Sequence, residues 1–187
     1  MESRREQTKN ILADCFKKLI LKGPFDKITV KMITDEAGVI RPTFYNYFQD
    51  KYEVIEWLLA QEIFNEAIRL LDEGKEKEAI QSIFVKMDHD RNYYQKVFEV
   101  TGQNGFEEIL SRNIENFVRI LLNKHSFRID EHPDLYSETV FVQFQTVTIV
   151  SGIKLWMTNK SMSLNADEAM EFYMFLMSHS IMGMINM

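Results

Sequence analysis

The sequence predicts an all-α protein of about nine helices, and three observations carry that prediction. Apolar residues recur with a period near 3.6 along almost the whole chain. Seven glycines and three prolines in 187 residues are too few for the many turns of a sheet-rich fold. No strand-like run is flanked by hairpin turn residues, and no internal repeat or low-complexity tract breaks the pattern.

The elements follow in order. Residues 4–21 place Ile11, Leu12, Cys15, Phe16, Leu19 and Ile20 on one helical stripe, with lysines and acids opposite. "KGPFDK" (22–27) ends that helix, because glycine favours a helix end and Pro24 cannot continue one. Thr29 offers an N-cap to a short helix over 30–37, which Gly38 stops. A second short helix covers 42–47, and Asp50 caps a long one over 50–72. After "DEGKEK" come helices near 76–86 and 89–100, the turn "TGQNG" (101–105) and a helix over 106–124. "HSFRIDEHP" (125–133) is the longest irregular stretch. Two long helices, 134–158 and 166–185, close the chain, with Asn165 as a cap.

Composition narrows the function classes. The chain is 45% hydrophobic and 27% charged, ordinary values for a well-packed soluble protein. Its net charge is −6, unevenly spread. Residues 1–53 hold ten Lys/Arg against eight Asp/Glu, or +2, which leaves −8 for the rest. A mildly basic first part beside an acidic second part keeps nucleic acid open as a partner. The single cysteine, Cys15, fits a small core residue in a reducing cytoplasm. "MESRREQTKN" has no apolar signal-peptide core. "TVFVQFQTVTIVSGIKLWM" (139–157) has the length of a membrane span, but Gln143, Gln145 and Lys154 interrupt it. It is expected to be a buried helix, with no membrane partner.

Enzyme chemistry finds no footing. His89, His125, His132 and His179 are scattered, without the spacing of a metal site, and no metal or cofactor is expected. Phosphate-cradling glycine loops and nucleophile elbows are absent. "MDHD" (87–90) is read as a helix cap at Asp88.

The chemistry concentrates in "AGVIRPTFYNYF" (37–48). A short helix, a glycine turn and a second short helix make a helix–turn–helix, over about 30–48. Ile33, Ala37, Val39, Phe44 and Phe48 are spaced to face inward, which leaves Arg41, Pro42, Thr43, Tyr45 and Asn46 outward. Pro42 suits a first helical turn, so the cap falls on Ile40 or Arg41, neither of which has a capping oxygen. Water or a DNA phosphate then meets the open N–H groups.

Residues 28–59, "ITVKMITDEAGVIRPTFYNYFQDKYEVIEWLL", closely resemble the N-terminal signature of TetR/AcrR-type one-component regulators. The shared pattern is a Thr–Val helix start, an Ala–Gly–Val turn, a Thr–Phe–Tyr–x–x–Phe helix and a lysine opening the next helix. "FQDKYEVIEWL" is similar to the branch found with dihydroxyacetone kinase. The resemblance implies a DNA-binding domain over 1–53 and a helical effector-binding and dimerisation domain over 54–187. It further implies a cytoplasmic homodimer, probing double-stranded operator DNA as a repressor. By position, Thr29 and Lys51 match phosphate contacts, Tyr45 matches a backbone contact, and Arg41, Pro42, Thr43 and Asn46 lie where base edges are read. Arg4 and Arg5 are candidates for a DNA-reaching arm. Three departures stand out: Ile40 for a Ser or Thr cap, Thr34 for a small alanine, and Tyr47 for a common histidine.

In the second part, Val140, Phe141, Phe144, Val147, Val150 and Ile153 stripe one long helix. Ala169, Met170, Tyr173, Met174, Leu176, Met177, Ile181 and Met184 stripe the other. These stripes are wider than one buried face needs, which suits a four-helix dimer interface. Tyr93, Tyr94, Phe98, Phe117, Phe141, Phe144 and Trp156 are candidates for an apolar effector pocket. Two alternatives stay open. The second part binds a partner protein and no small molecule, as a regulator or co-activator, or the chain is a helical dimer with a degenerate head.

Overall fold

The computed structural model describes residues 4–125 and 137–179. Among them the regular structure is helical: ten α-helical segments, a 3₁₀ turn and a π segment. The π segment fuses two of the ten into one rod, which leaves nine helical units, in line with the periodicity.

Helix α1 (Arg4–Lys22) turns Leu12, Phe16 and Ile20 inward at four-residue spacing. It closes where the Gly23 N–H donates to the Leu19 carbonyl, and Pro24 leads into the 3₁₀ turn Phe25–Lys27. Helix α2 (Val30–Glu36) starts at Thr29, whose hydroxyl accepts the Met32 N–H at 3.2 Å. Gly38 then takes φ +66°, a conformation that side chains disfavour. Helix α3 (Arg41–Tyr45) follows at once. Asp50 caps α4 (Lys51–Leu59) by accepting the Tyr52 and Glu53 N–H groups at 2.8 and 3.0 Å.

From α4 the chain continues through the π segment Ala60–Phe64 into α5 (Asn65–Asp72). The division expected between residues 53 and 54 therefore falls inside a helix. Below, "head" means α1 to the start of α4 and "body" the remainder. One continuous apolar core runs through both.

The body adds α6 (Glu76–His89), α7 (Arg91–Val97), α8 (Phe106–Asn123), α9 (Glu138–Thr158) and α10 (Ala166–Ser178). Gly105 opens α8 at a close approach, because a Cβ there would lie 2.9 Å from the Gly102 and Val100 carbonyl oxygens. Asn165 and Glu168 form a capping box on α10. Ile181 and Met184, and most of the irregular stretch expected at 125–133, lie outside the described residues.

Two expectations need correction. Asp88 does not cap the helix that follows it; its carboxylate accepts the Ala166 N–H at 3.1 Å, the first residue of α10. Helix α9 is only half buried. Val142, Thr146, Val150, Ile153, Trp156 and Met157 face inward, toward α7 and α8. Phe144 on the opposite face is 73% exposed. Among the described residues α9 is the one helix long and apolar enough to cross a membrane.

Candidate nucleic-acid interface

The α2–turn–α3 unit is held from beneath by rings. Phe44 and Phe48 are fully buried, 5.6 Å apart, and Phe48 meets Trp57 of α4 edge-on at 5.9 Å. The Val39 N–H donates to the Thr34 carbonyl at 3.0 Å, which tightens the turn. Thr34 is buried, and its hydroxyl donates to the Lys31 carbonyl at 3.0 Å. The threonine that departs from the family pattern is thus accommodated without an unpaired polar atom.

This packing aims the other face of α3 at solvent. Arg41, Pro42, Tyr45 and Asn46 are exposed and Thr43 is half-buried. The Arg41 guanidinium lies against Tyr45, donating to its hydroxyl from Nη2 at 2.9 Å. The pair presents a positive charge and a phenol together, one turn apart. Ile40 is the N-cap, without a side-chain acceptor, and is 71% exposed.

Thr29 keeps its hydroxyl proton, since the oxygen serves only as acceptor to Met32. Lys51 is differently placed. Its ammonium donates to the Phe25 carbonyl at 2.8 Å and the Ile28 carbonyl at 3.1 Å, and lies 3.9 Å from the Phe25 ring centroid. Burial lowers its pKa from the ordinary lysine value, against the opposing pull of Asp26 and Asp50. In this geometry Lys51 locks the 3₁₀ turn to the start of α4.

The sequence reading missed Lys9. Its ammonium lies 5.0 Å from the Phe48 ring and 5.2 Å from Trp57, while Arg5 stands 6.0 Å from Tyr47. With Asn46 they line a groove between α1 and the end of α3. Spacing on α1 alone gives no sign of this, because the rings come from other helices.

The candidate effector residues do not converge. Tyr93, Tyr94 and Phe98 are buried near Phe106, with Tyr94 at 6.0 Å and Phe98 at 4.7 Å. Phe141 is half-buried, and Phe144 points outward. Trp156 lines an apolar cavity of about 120 Å³ among α6, α9 and α10, and Phe117 lines a neighbouring one of about 50 Å³. The two share Phe84, Ile149, Ile153 and Tyr173, none of them anticipated as a pocket residue. Gly152 was the available signal, as a glycine inside a long helix costs about 0.5–1 kcal/mol and calls for a reason. It stands exposed at the rim of the larger cavity, with nothing within 4 Å of where a Cβ would be.

Comparison with known proteins bears on the head first. Residues 17–58 match the family described as bacterial regulatory proteins, tetR family. That match places a TetR-type signature on the head. The chain is 27% identical over 137 residues to the HTH-type dhaKLM operon transcriptional activator DhaS of Lactococcus lactis subsp. lactis (strain IL1403). That match covers 69% of this chain and 66% of the relative, so just under two thirds of the relative's length is spanned.

Solved structures show the same fold throughout. A dihydroxyacetone kinase operon activator DhaS superposes with a TM-score of 0.60 at 21% identity, covering 91% of this chain and 92% of that one. A TetR transcriptional regulator from Streptococcus agalactiae 2603V gives 0.65 at 18% identity, covering 92% and 94%. Thermus thermophilus FadR, a TetR-family repressor in complex with lauroyl-CoA, gives 0.59 at 20%, covering 96% of each chain. These relatives are named as transcriptional regulators.

Proposed function

We propose that this TetR-type chain works in the cytoplasm as a homodimer, setting α3 of each protomer into successive major grooves of an operator. The supporting observation is the division of α3 into two faces. Phe44 is sealed below, while Arg41, Pro42, Tyr45 and Asn46 stand in solvent with Thr43 beside them. Arginine suits guanine O6/N7 and asparagine suits adenine. Thr29 serves the phosphates, while Lys51, held by the Phe25 and Ile28 carbonyls, braces the start of α4. Residues 1–53 then form the DNA-binding unit, and 54–187 the dimerising and sensing unit.

Fluorescence anisotropy on DNA from upstream of the chain's own gene tests this. Affinity should fall steeply with salt, and Tyr45→Ala should weaken binding about tenfold, the loss of one good contact. Salt-independent binding that ignores Tyr45→Ala rules the head out as a DNA reader and leaves the degenerate-head alternative. The sequence suggests repression, FadR is a repressor and DhaS is an activator. Reporter output with and without the gene decides the sign: a rise on deletion marks a repressor, a fall an activator.

The outward stripe of α9, with Phe144, Val147 and Leu155 exposed, continues onto Phe172, Phe175 and Leu176 of α10. A second copy covering this face is the dimer we propose, with no membrane involved.

For the sensing role, the cavities favour the partner-protein alternative. About 120 and 50 Å³ are well below the roughly 300–1,000 Å³ of drug-sized sites. Among the described residues neither of these two apolar cavities has room for a ligand the size of lauroyl-CoA. Titration of the intact protein with small apolar solutes, followed by melting temperature, separates the two. A rise of several degrees supports a small effector, and no response supports the protein partner.

A further inference from the structure

Residues 88–91, the joint between α6 and α7, reach in two directions. Toward the body, Arg91 donates from Nη1 to the Trp156 carbonyl at 3.1 Å and from Nη2 to the Leu164 carbonyl at 3.0 Å. Trp156 and Leu164 are both walls of the larger cavity. Asp88 braces Arg91 at 2.8 Å through Nε and holds the Ala166 N–H with its other oxygen. One aspartate and one arginine thereby fix the α9–α10 connection.

Toward the head, Asp90 accepts from the Lys17 ammonium of α1 at 2.7 Å. The same ammonium donates to both carboxylate oxygens of Glu62 at 2.8 and 2.9 Å, within the π segment. Beneath it lies Tyr93, 5.0 Å from Nζ to the ring centroid and fully buried at its hydroxyl. Lys17 is only 17% exposed, and each carboxylate is about a third exposed. Burial opposes the Lys17 charge, yet the hydrogen bonds and charges of Asp90 and Glu62 outweigh it and raise its pKa. The cluster joins three elements at one ammonium, where the rod from the head departs from α-helical geometry. A π segment is a local break of the kind that accommodates a shift in register.

We propose that the Lys17–Glu62–Asp90 cluster is the latch that transmits the state of the body cavity to the DNA-binding head. A change at Trp156 or Leu164 moves Arg91; Asp90, its neighbour, then pulls on Lys17 and through it on α1 and the π segment. Coupling of this kind needs an element whose position both ends bias, and the 88–91 joint supplies it. The inference rests on the regulator reading for its purpose only. Its test uses no DNA, so the two can fail separately.

The probe is Ala169→Val, which adds bulk at a buried wall of the cavity. Hydrogen–deuterium exchange of the full chain is compared with and without it, in wild type, Lys17→Met, Asp90→Asn and Lys17→Arg backgrounds. In wild type the substitution should change exchange in α1 and residues 60–64 by about fivefold or more, equivalent to roughly 1 kcal/mol. Lys17→Met and Asp90→Asn should abolish that response, and Lys17→Arg should retain it. Asp90→Asn keeps the Lys17–Glu62 pair, so it serves if Lys17→Met does not fold. A head that ignores Ala169→Val in wild type overturns the proposal. So does a response that persists undiminished in the folded latch variants.

Discussion

The head and the last two helices of the body treat the same kind of side chain in opposite ways. Phe44 is fully buried, with Phe48 and Tyr45 rings around it, while Phe144 is 73% exposed. In the head, Phe44 and Phe48 are gathered inward and the outer face of α3 is mostly polar, with Ile40 an exposed apolar residue at its start. On α9 and α10, large apolar residues stand on both faces, so burial within one protomer accounts for only one of them. The head is finished as a surface for water and charge. The body carries a face that awaits cover.

Removing each ring is the sharpest way to break that comparison. Phe44→Ala should cost about 3–5 kcal/mol of folding stability, read as a fall in denaturant midpoint. Phe144→Asp should leave each protomer folded by circular dichroism but weaken self-association by at least about thirtyfold, the scale of an interface hot spot. Light scattering across micromolar concentrations reads the second effect. A Phe144→Asp dimer of undiminished affinity removes α9 from the interface.

A smaller effect tests where the head ends. Lys51→Met deletes the two hydrogen bonds to the Phe25 and Ile28 carbonyls, and should cost about 1.5–3 kcal/mol. It should leave the slope of log affinity against log salt unchanged, because the ammonium is already engaged. A slope reduced by about 0.9 shows instead that Lys51 leaves its carbonyls for a phosphate. The smallest change is a gain. Ile40→Thr supplies the missing cap oxygen to α3 and should add about 1 kcal/mol, a melting temperature higher by roughly 2–4 °C. A lower melting temperature means that the exposed isoleucine stabilises the turn in another way.

Which features were legible in the sequence follows from their range. Thr29, Gly38, Asp50 and Asn165 act within three residues of themselves, so residue type and spacing suffice to read them. Partner choice over long distances is not encoded in any window. Lys51 reaches back 26 residues to Phe25, Lys17 forward 73 to Asp90, and Asp88 forward 78 to Ala166. From sequence Lys51 reads as a phosphate contact and Asp88 as a local cap, and neither spacing points to these distant partners. Phe144 belongs to a stripe too wide for one buried face, and spacing alone does not say that it stands outward rather than in a pocket. The π segment left no trace, since "AQEIF" (60–64) is as good a helix former as what surrounds it.

The chain has only two tryptophans, and each sits under a cation. Trp57 rests on Phe48 beneath Lys9, whose ammonium is 5.2 Å from its ring. Trp156 forms a cavity wall beneath Arg91, at 4.7 Å, and gives its indole proton to the Leu164 carbonyl. Indole emission responds to a nearby charge, so each ring is a built-in optical gauge of its own cation. With Trp57→Phe the protein's light comes from the cavity alone, and with Trp156→Phe from beneath the α2–α3 unit.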